Sequence, residues 1–301
     1  MTVLKKRQST AIRDSLGERI FYGFVILCMI GVLIITLYPF VYVISMSLSD
    51  AVHVIRQDVW LLPKGFTLSS YARVLNEPGL WRAYGNTIFY TVAGTLVNVI
   101  MTVMLAYPLS KQSFWGRKPL SVFINITMFF NAGMIPNFLL IRAIGLYDNR
   151  LVMIIPGAIS VYNMIIARTF FSGLPASLEE SAALDGANNV TILTRIIIPI
   201  SMPVIAVLTL FYAVGHWNTY FNALLYLPDQ AKQPLQMFLV RLLVQNQQLM
   251  ADGMGDALQQ AIAAMQIKYA TIIVVILPIL CVYPFLQRYF VQGVMVGAIK
   301  E

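Results

Sequence analysis

Residues 196–228 form a charge-free run that ends in a dense group of hydrogen-bonding and aromatic side chains: His216, Trp217, Asn218, Thr219, Tyr220 and Asn222. Aromatic faces pack against the C–H surfaces of sugar rings, while amides and hydroxyls meet sugar hydroxyl groups. Trp217, Tyr220, Asn218 and Asn222 supply that chemistry. Positions 218 and 222 are four apart, which places them on one face of a continuous helix. The same groups also serve as hydrogen bonds between helices, and residue type alone leaves both roles open. His216 has no carboxylate partner in the run, so it reads as a structural hydrogen-bonder rather than a proton relay. A second polar set, Asn125, Asn131 and Asn137 with Gly133 and Pro136, lies in another apolar run. There the glycine and proline predict a break, and broken helices line cavities. Asn86 and Asn98 read as packing contacts.

Catalytic constellations are missing from the sequence. There is no G-x-x-x-x-G-K-[ST] phosphate loop, no H-E-x-x-H metal pair and no G-x-S-x-G elbow. Catalysis, a resident cofactor and a metal centre are therefore not expected in this chain.

The elements that carry these groups follow from composition. Of 301 residues, 58% are hydrophobic and 11% charged, against about 25% charged in soluble domains. Too few charges exist to cover a water-facing surface, so lipid is the expected solvent. The net charge of +8 gathers at the ends of apolar runs without interleaved aromatics, which excludes a nucleic-acid surface. Cys28 and Cys281 both fall in apolar runs and read as small buried hydrophobes.

Charge-poor runs long enough to cross a bilayer predict an all-α polytopic membrane protein with six transmembrane helices, at about residues 20–49, 83–110, 119–141, 151–170, 196–228 and 269–290. The first run follows Lys5, Lys6, Arg7, Arg13 and Arg19, is too long for a signal peptide and lacks a cleavage site, so it is an anchor. Basic residues before the first span, and Lys111, Arg117 and Lys118 after the second, place both termini in the cytoplasm. The expected organisation is a cytoplasmic segment 1–19, a transmembrane domain 20–290 and a cytoplasmic tail 291–301. Outer loops 50–82 and 229–268 are expected to hold short helices, the latter around 235–249 and 257–268.

Between the fourth and fifth spans lies Leu174–Pro203. Ser177 and Glu180 have capping-box spacing, Gly186 suits the left-handed residue that ends a helix, and a second helix is expected from Asn188 or Asn189. The element is a helix–turn–helix on the inner membrane face. It serves either as a rigid lever for a soluble partner or as an ordinary hairpin.

Glu180-Ser181-Ala182-Ala183-Leu184-Asp185-Gly186-Ala187, followed by Ile198-Pro199 and Pro203, resembles the EAA loop of ABC-importer permeases, with Ser181 in place of the usual first alanine. Met164–Phe171, Phe211–Asn218 and Gln287–Met295 are similar to the maltose-type carbohydrate branch, nearest to its oligosaccharide and polysaccharide-fragment group and including alginate-type importers. The resemblance implies a sugar permease of the bacterial inner membrane, working by alternating access. Its partners would be a second permease, two ATPase subunits that hold ATP and Mg2+, and an external solute-binding protein. Glu180, Ala183, Asp185, Gly186 and Ala187 would form the ATPase-coupling element, and the tail would reach towards the ATPase pair. Trp217, Asn218, Tyr220, Asn222 and Asn131 are the candidate substrate-pathway residues. The rival is an ion-gradient-driven secondary transporter, which places charges in mid-membrane; every acidic residue here lies outside the expected spans.

Overall fold

The computed structural model describes residues 15–130, 132–251 and 267–281, with the helical backbone alone for 245–251. The basic segment before Ser15, the 257–266 stretch, the tail and Asn131 lie outside the described residues. Every regular element described is helical, as an apolar backbone in lipid requires, because a helix satisfies its own N–H and C=O groups.

Helix α1 (Leu16–Ser47) opens with the capping box Ser15/Glu18 and is long and apolar enough to cross a membrane, yet none of its most apolar stretch is buried by the rest of the chain. It is fastened near its C-terminal end, where Ser45 Oγ donates to the Leu61 carbonyl (2.7 Å) and Ser47 Oγ pairs with Tyr71 Oη (2.7 Å). Short helices α2 (Ala51–Arg56) and α3 (Ser69–Leu75) follow in the expected loop. Between them, a hydrogen bond from His53, with Lys64 beyond it, holds the Asp58 carboxyl below its usual range.

Helix α4 (Pro78–Ser110) is the axis of the fold. Pro78 at its first position costs no hydrogen bond, the Glu77 carboxylate accepts from the Gly79 amide (3.4 Å), and the extended Lys111 ends it. Its 33 residues extend about 50 Å. α11 (Met202–Trp217) and α7 (Val161–Ser172) pack against it. One apolar core gathers around its C-terminal end, including Ala106, Leu109, Met164, Ile197 and Leu208. Two others form around Tyr90 and around Leu80 at its N-terminal half.

All six expected apolar segments contain helix, but three are less regular than the sequence suggests. The third is split into α5 (Arg117–Phe129) and α6 (Met134–Ala143), whose axes differ by 116°, with Gly133 at φ 87° entering α6. A side chain there would be strained, so the expected break is present. The fourth is not a helix over 151–170. Arg150–Met153 is a 3-10 turn, and α7 begins only at Val161, because Pro156 and Gly157 interrupt the pattern. The fifth is bent by 83° at Ser201, where the helix over 189–200 meets α11. It stops again at Trp217, and α12 (Phe221–Tyr226) is separate. Pro199 and Pro203 sit in the first turns beside the bend, where proline is tolerated and cannot continue the preceding backbone pattern.

Beyond α12, the 3-10 turn Gln230–Lys232 leads to α13 (Leu235–Ala251). Asn86 Nδ2 donates to the carbonyls of Ala231 (2.8 Å) and Gln233 (3.0 Å), Tyr90 Oη donates to the Lys232 carbonyl (2.7 Å), and the Leu235 amide donates to Thr87 Oγ1 (2.7 Å). The Asp148 carboxylate accepts from Lys232 (2.8 Å) and raises its pKa. Helix α14 (Ile267–Cys281) closes the described chain. The expectation of buried cysteines is corrected: Cys28 and Cys281 are both exposed, Cys28 because no element of this chain covers its part of α1.

Candidate functional site

Helix α8 (Ser177–Leu184) and α9 (Asn189–Ile192) form the expected helix–turn–helix. Gly186 has φ 82°, and its amide and that of Ala187 donate to the carbonyls of Ala183 and Ala182 (both 3.0 Å), which satisfies the last turn. Asn188 caps α9, its Oδ1 accepting from the Thr191 amide (2.8 Å). Asn188→Ala should cost about 0.5–2 kcal/mol, read as faster amide exchange at Thr191; unchanged exchange would show that the cap adds nothing.

The capping box at Ser177 is corrected. Ala176 is already in the right-handed region (φ −61°, ψ −29°) and no side chain caps α8. Tight bonds from Leu178 and Glu179 to the carbonyls of Pro175 and Ala176 start the helix one residue early, so Ser177 lies inside the first turn and its hydroxyl is misplaced for capping.

α8 buries a single residue, Ala182. Glu180, Ala183, Asp185 and Gly186 are exposed, and Ala187 is half-buried. Leu184, 90% exposed, and Val190, 70% exposed, stand on the same short element; sequence reasoning passed over them. A leucine so uncovered marks a contact surface, and its exposure is visible only in the fold.

From α9 the chain passes through a π-helical turn, Leu193–Ile197, and the short α10 (Ile198–Ile200) to the 83° bend and α11. α11 is pinned to α4. His216 Nε2 meets Asn98 Oδ1 at 2.6 Å, and because Asn98 Nδ2 donates to the Gly157 carbonyl, Oδ1 is the acceptor and His216 the donor. Tyr212 Oη pairs with Thr102 Oγ1 (2.7 Å) and accepts from the Ser160 amide (3.1 Å).

Beside α11 lies a cavity of about 930 Å³ whose lining includes Tyr162, Asn163, Trp217, Asn218 and Gln236 among mostly apolar side chains. The Trp217 indole N–H is buried and finds no acceptor among the described residues. Two of the expected pathway residues, Trp217 and Asn218, line this cavity; Tyr220 and Asn222 are exposed and do not. The expectation that 218 and 222 share a helix face is corrected. Asn218 closes α11, its Nδ2 donating to the Val214 carbonyl (2.9 Å), a side-chain bond that competes with helix continuation. Asn222 stands on α12. Tyr162, Asn163 and Gln236 were missed, since they come from α7 and α13 and only the fold brings them to Trp217. Among the described residues no group of His, Cys, Asp and Glu could hold a metal ion.

Comparison with known proteins places these features. Residues 98–296 match the family described as binding-protein-dependent transport system inner membrane component. The chain is 42% identical to Protein LplC of Bacillus subtilis, over 96% of this chain and 98% of that one. It is 36% identical to the polygalacturonan/rhamnogalacturonan transport system permease YtcP of the same organism, over 96% and 100%. It superposes with a TM-score of 0.83 and 38% identity on a chain from a crystal structure of a bacterial ABC transporter involved in the import of the acidic polysaccharide alginate, covering 92% of this chain and 99% of that one. The ion-gradient reading finds no support in these relatives. With its uncovered helix–turn–helix joined through a bent helix to a mostly apolar cavity edged by Trp217 and Asn218, the chain belongs to the family of inner-membrane permease components of ABC importers and is a transport subunit, not an enzyme.

Proposed function

We propose that this chain is one of two related membrane subunits of an importer for oligosaccharides released from polysaccharides, driven through α8 by a separate ATPase. The observation that carries this reading is the continuity from α8, with Glu180, Ala183, Leu184 and Asp185 exposed, to α11, which ends in Trp217 and Asn218 on the cavity. An ATPase pair that closes on ATP and Mg2+ presses α8, the bent segment at Ser201 tilts α11, and the cavity changes its access. A second permease completes the passage, and an external solute-binding protein delivers the sugar. The basic residues flanking the apolar runs support a cytoplasmic location for α8 and both termini.

The substrate class rests on the lining. Trp217 and Tyr162 offer aromatic rings, Asn163, Asn218 and Gln236 offer amides, and the buried indole N–H of Trp217 has no acceptor among the described residues. The names of the relatives, polygalacturonan/rhamnogalacturonan and alginate, support polysaccharide fragments. The described lining carries no Arg or Lys, so a uronate carboxylate would find its cation outside it.

Two measurements test the proposal. In proteoliposomes holding the assembled transporter, alginate, galacturonan and neutral oligosaccharides are compared for ATP-dependent uptake. Trp217→Ala is expected to raise the half-saturating concentration of the accepted sugar about ten-fold, the loss of about one aromatic contact, with ATP hydrolysis intact. Uptake without ATP, or no transport of any sugar, overturns the reading. Leu184→Asp is expected to reduce co-purified ATPase about ten-fold or more, since an apolar side chain of this size contributes about 1.5–3 kcal/mol on burial; undiminished co-purification removes α8 as the docking element.

A further inference from the structure

The face of α8 opposite its exposed side carries a charge that the docking role does not use. Glu179 is directed to Lys111, the residue that ends α4, and their side chains form an ion pair in which Lys111 is 23% and Glu179 22% exposed. It is the only ion pair of α8 among the described residues. The Lys111 ammonium also lies 4.3 Å from the centroid of the Tyr107 ring, and that ring meets Phe171 of α7 edge-on at 6.5 Å. Beside it, Ser172 Oγ donates to the Ser110 carbonyl (3.4 Å). One cation thus gathers α8, the end of α4 and, through an aromatic contact, α7.

The arrangement matters because α8 is otherwise weakly held. An eight-residue helix with one buried alanine has little apolar contact to fix it, and short helices are not stable on their own. Its covalent neighbours, Gly173–Ala176 before it and Asp185–Asn188 after it, are non-helical connections. A push on such an element reaches α11 through α9, and α4 through α11; it reaches the C-terminal end of α4 directly only through the contacts that tie the two, Ala182 in the shared core and the Glu179–Lys111 pair. Ion pairs shielded from water, with a cation–π contact beside them, hold geometry better than exposed ones.

We propose that Glu179 and Lys111 form a strap that makes α8 and the C-terminal end of α4 move as one body, so that displacement of α8 by the ATPase is delivered to α4 as well as to α11. The proposal rests on the reading of α8 as the ATPase-docking element. Both are positioning residues: neither lines the cavity nor belongs to the exposed side of α8.

Spin labels test it in the assembled transporter in nanodiscs. The pair Ser177→Cys and Met104→Cys, with Cys28→Ala and Cys281→Ala, reports the distance between α8 and α4, read without nucleotide and after trapping with ATP and vanadate. With the strap intact the distribution is expected to be narrow and unchanged by trapping. Lys111→Gln and Glu179→Gln are each expected to broaden it about two-fold, as for an element released to local motion, and to lower stimulation of ATP hydrolysis by the binding protein without reducing the yield of complex. The exchanged pair Lys111→Glu with Glu179→Lys is expected to restore the narrow distribution. A distance that shifts on trapping in the intact strap, single variants as narrow as the intact protein, or an exchanged pair as broad as the single variants each overturn the proposal. Because width is read without nucleotide too, loss of the ATPase from a variant does not remove the readout. If Leu184→Asp releases the ATPase while Lys111→Gln leaves the width unchanged, the docking role stands and the strap falls; if Leu184→Asp releases nothing, the docking role itself fails.

Discussion

Gly94→Ala is expected to lower the thermal midpoint of the purified, assembled transporter by about 5–15 °C, although it adds one methyl group to a helix and raises helix propensity. A Cβ at position 94 would stand 2.5 Å from Cε1 and 2.9 Å from Cδ2 of His216, and closer still to Nε2. The ring cannot step aside freely, because Nε2 is bonded to Asn98 at 2.6 Å. Overpacking a filled site costs about 1–3 kcal/mol, and stranding a buried amide oxygen costs a similar amount. The total of about 2–6 kcal/mol overwhelms the gain of under about 1 kcal/mol from replacing glycine in a helix. His216→Ala checks the cause. It strands Asn98 as well but empties the space, so the double variant Gly94→Ala, His216→Ala should be no less stable than His216→Ala alone. If the two losses simply add, the overlap is not the reason.

The second large effect is functional and falls on Gly186. Nothing lies within 4 Å of the place its Cβ would take, so packing does not require glycine there. The backbone does: φ is 82°, a region that costs an L-residue roughly 1–2 kcal/mol and a β-branched one more. Misplacing the turn by that energy depopulates the native elbow roughly five- to thirty-fold. Hydrolysis stimulated by the binding protein should therefore fall in the order Asn, Ala, Val, with Gly186→Asn close to the unsubstituted protein because asparagine tolerates this region. Gly186→Val should retain under about a tenth of the stimulation, with complex yield preserved. An asparagine variant as defective as valine would mean that Gly186 is needed for close approach of a partner and not for the shape of the turn.

The helix–turn–helix of α8 and α9 was legible in the sequence because its determinants are local. Gly186, which ends α8, and Asn188, which caps α9, fix the turn within a few residues. Even there the start of α8 was misplaced, since Pro175 and Ala176 nucleate the helix before Ser177 can cap it. The ends of the spans were harder. In the apolar run over 196–228 only Pro199 and Pro203 hint at the bend at Ser201, and hydropathy gives no sign of the stop at Asn218, because it measures burial in lipid and not backbone continuity. The cavity was legible only on the side of α11. Tyr162, Asn163 and Gln236 reach Trp217 from elements far along the chain, and the Lys111–Glu179 pair joins positions 68 residues apart. Pattern within a window cannot supply contacts of that range.

The attachment of the segment ahead of α13 to α4 has an evolutionary corollary. Asn86 and Tyr90 grasp the main-chain oxygens of Ala231, Gln233 and Lys232, and Thr87 receives the main-chain N–H of Leu235. A grip on peptide groups is blind to which side chains those peptides bear. Residues 230 and 231 can therefore drift in identity, adapting to whatever meets them, while three anchors on one helix keep the ribbon moored.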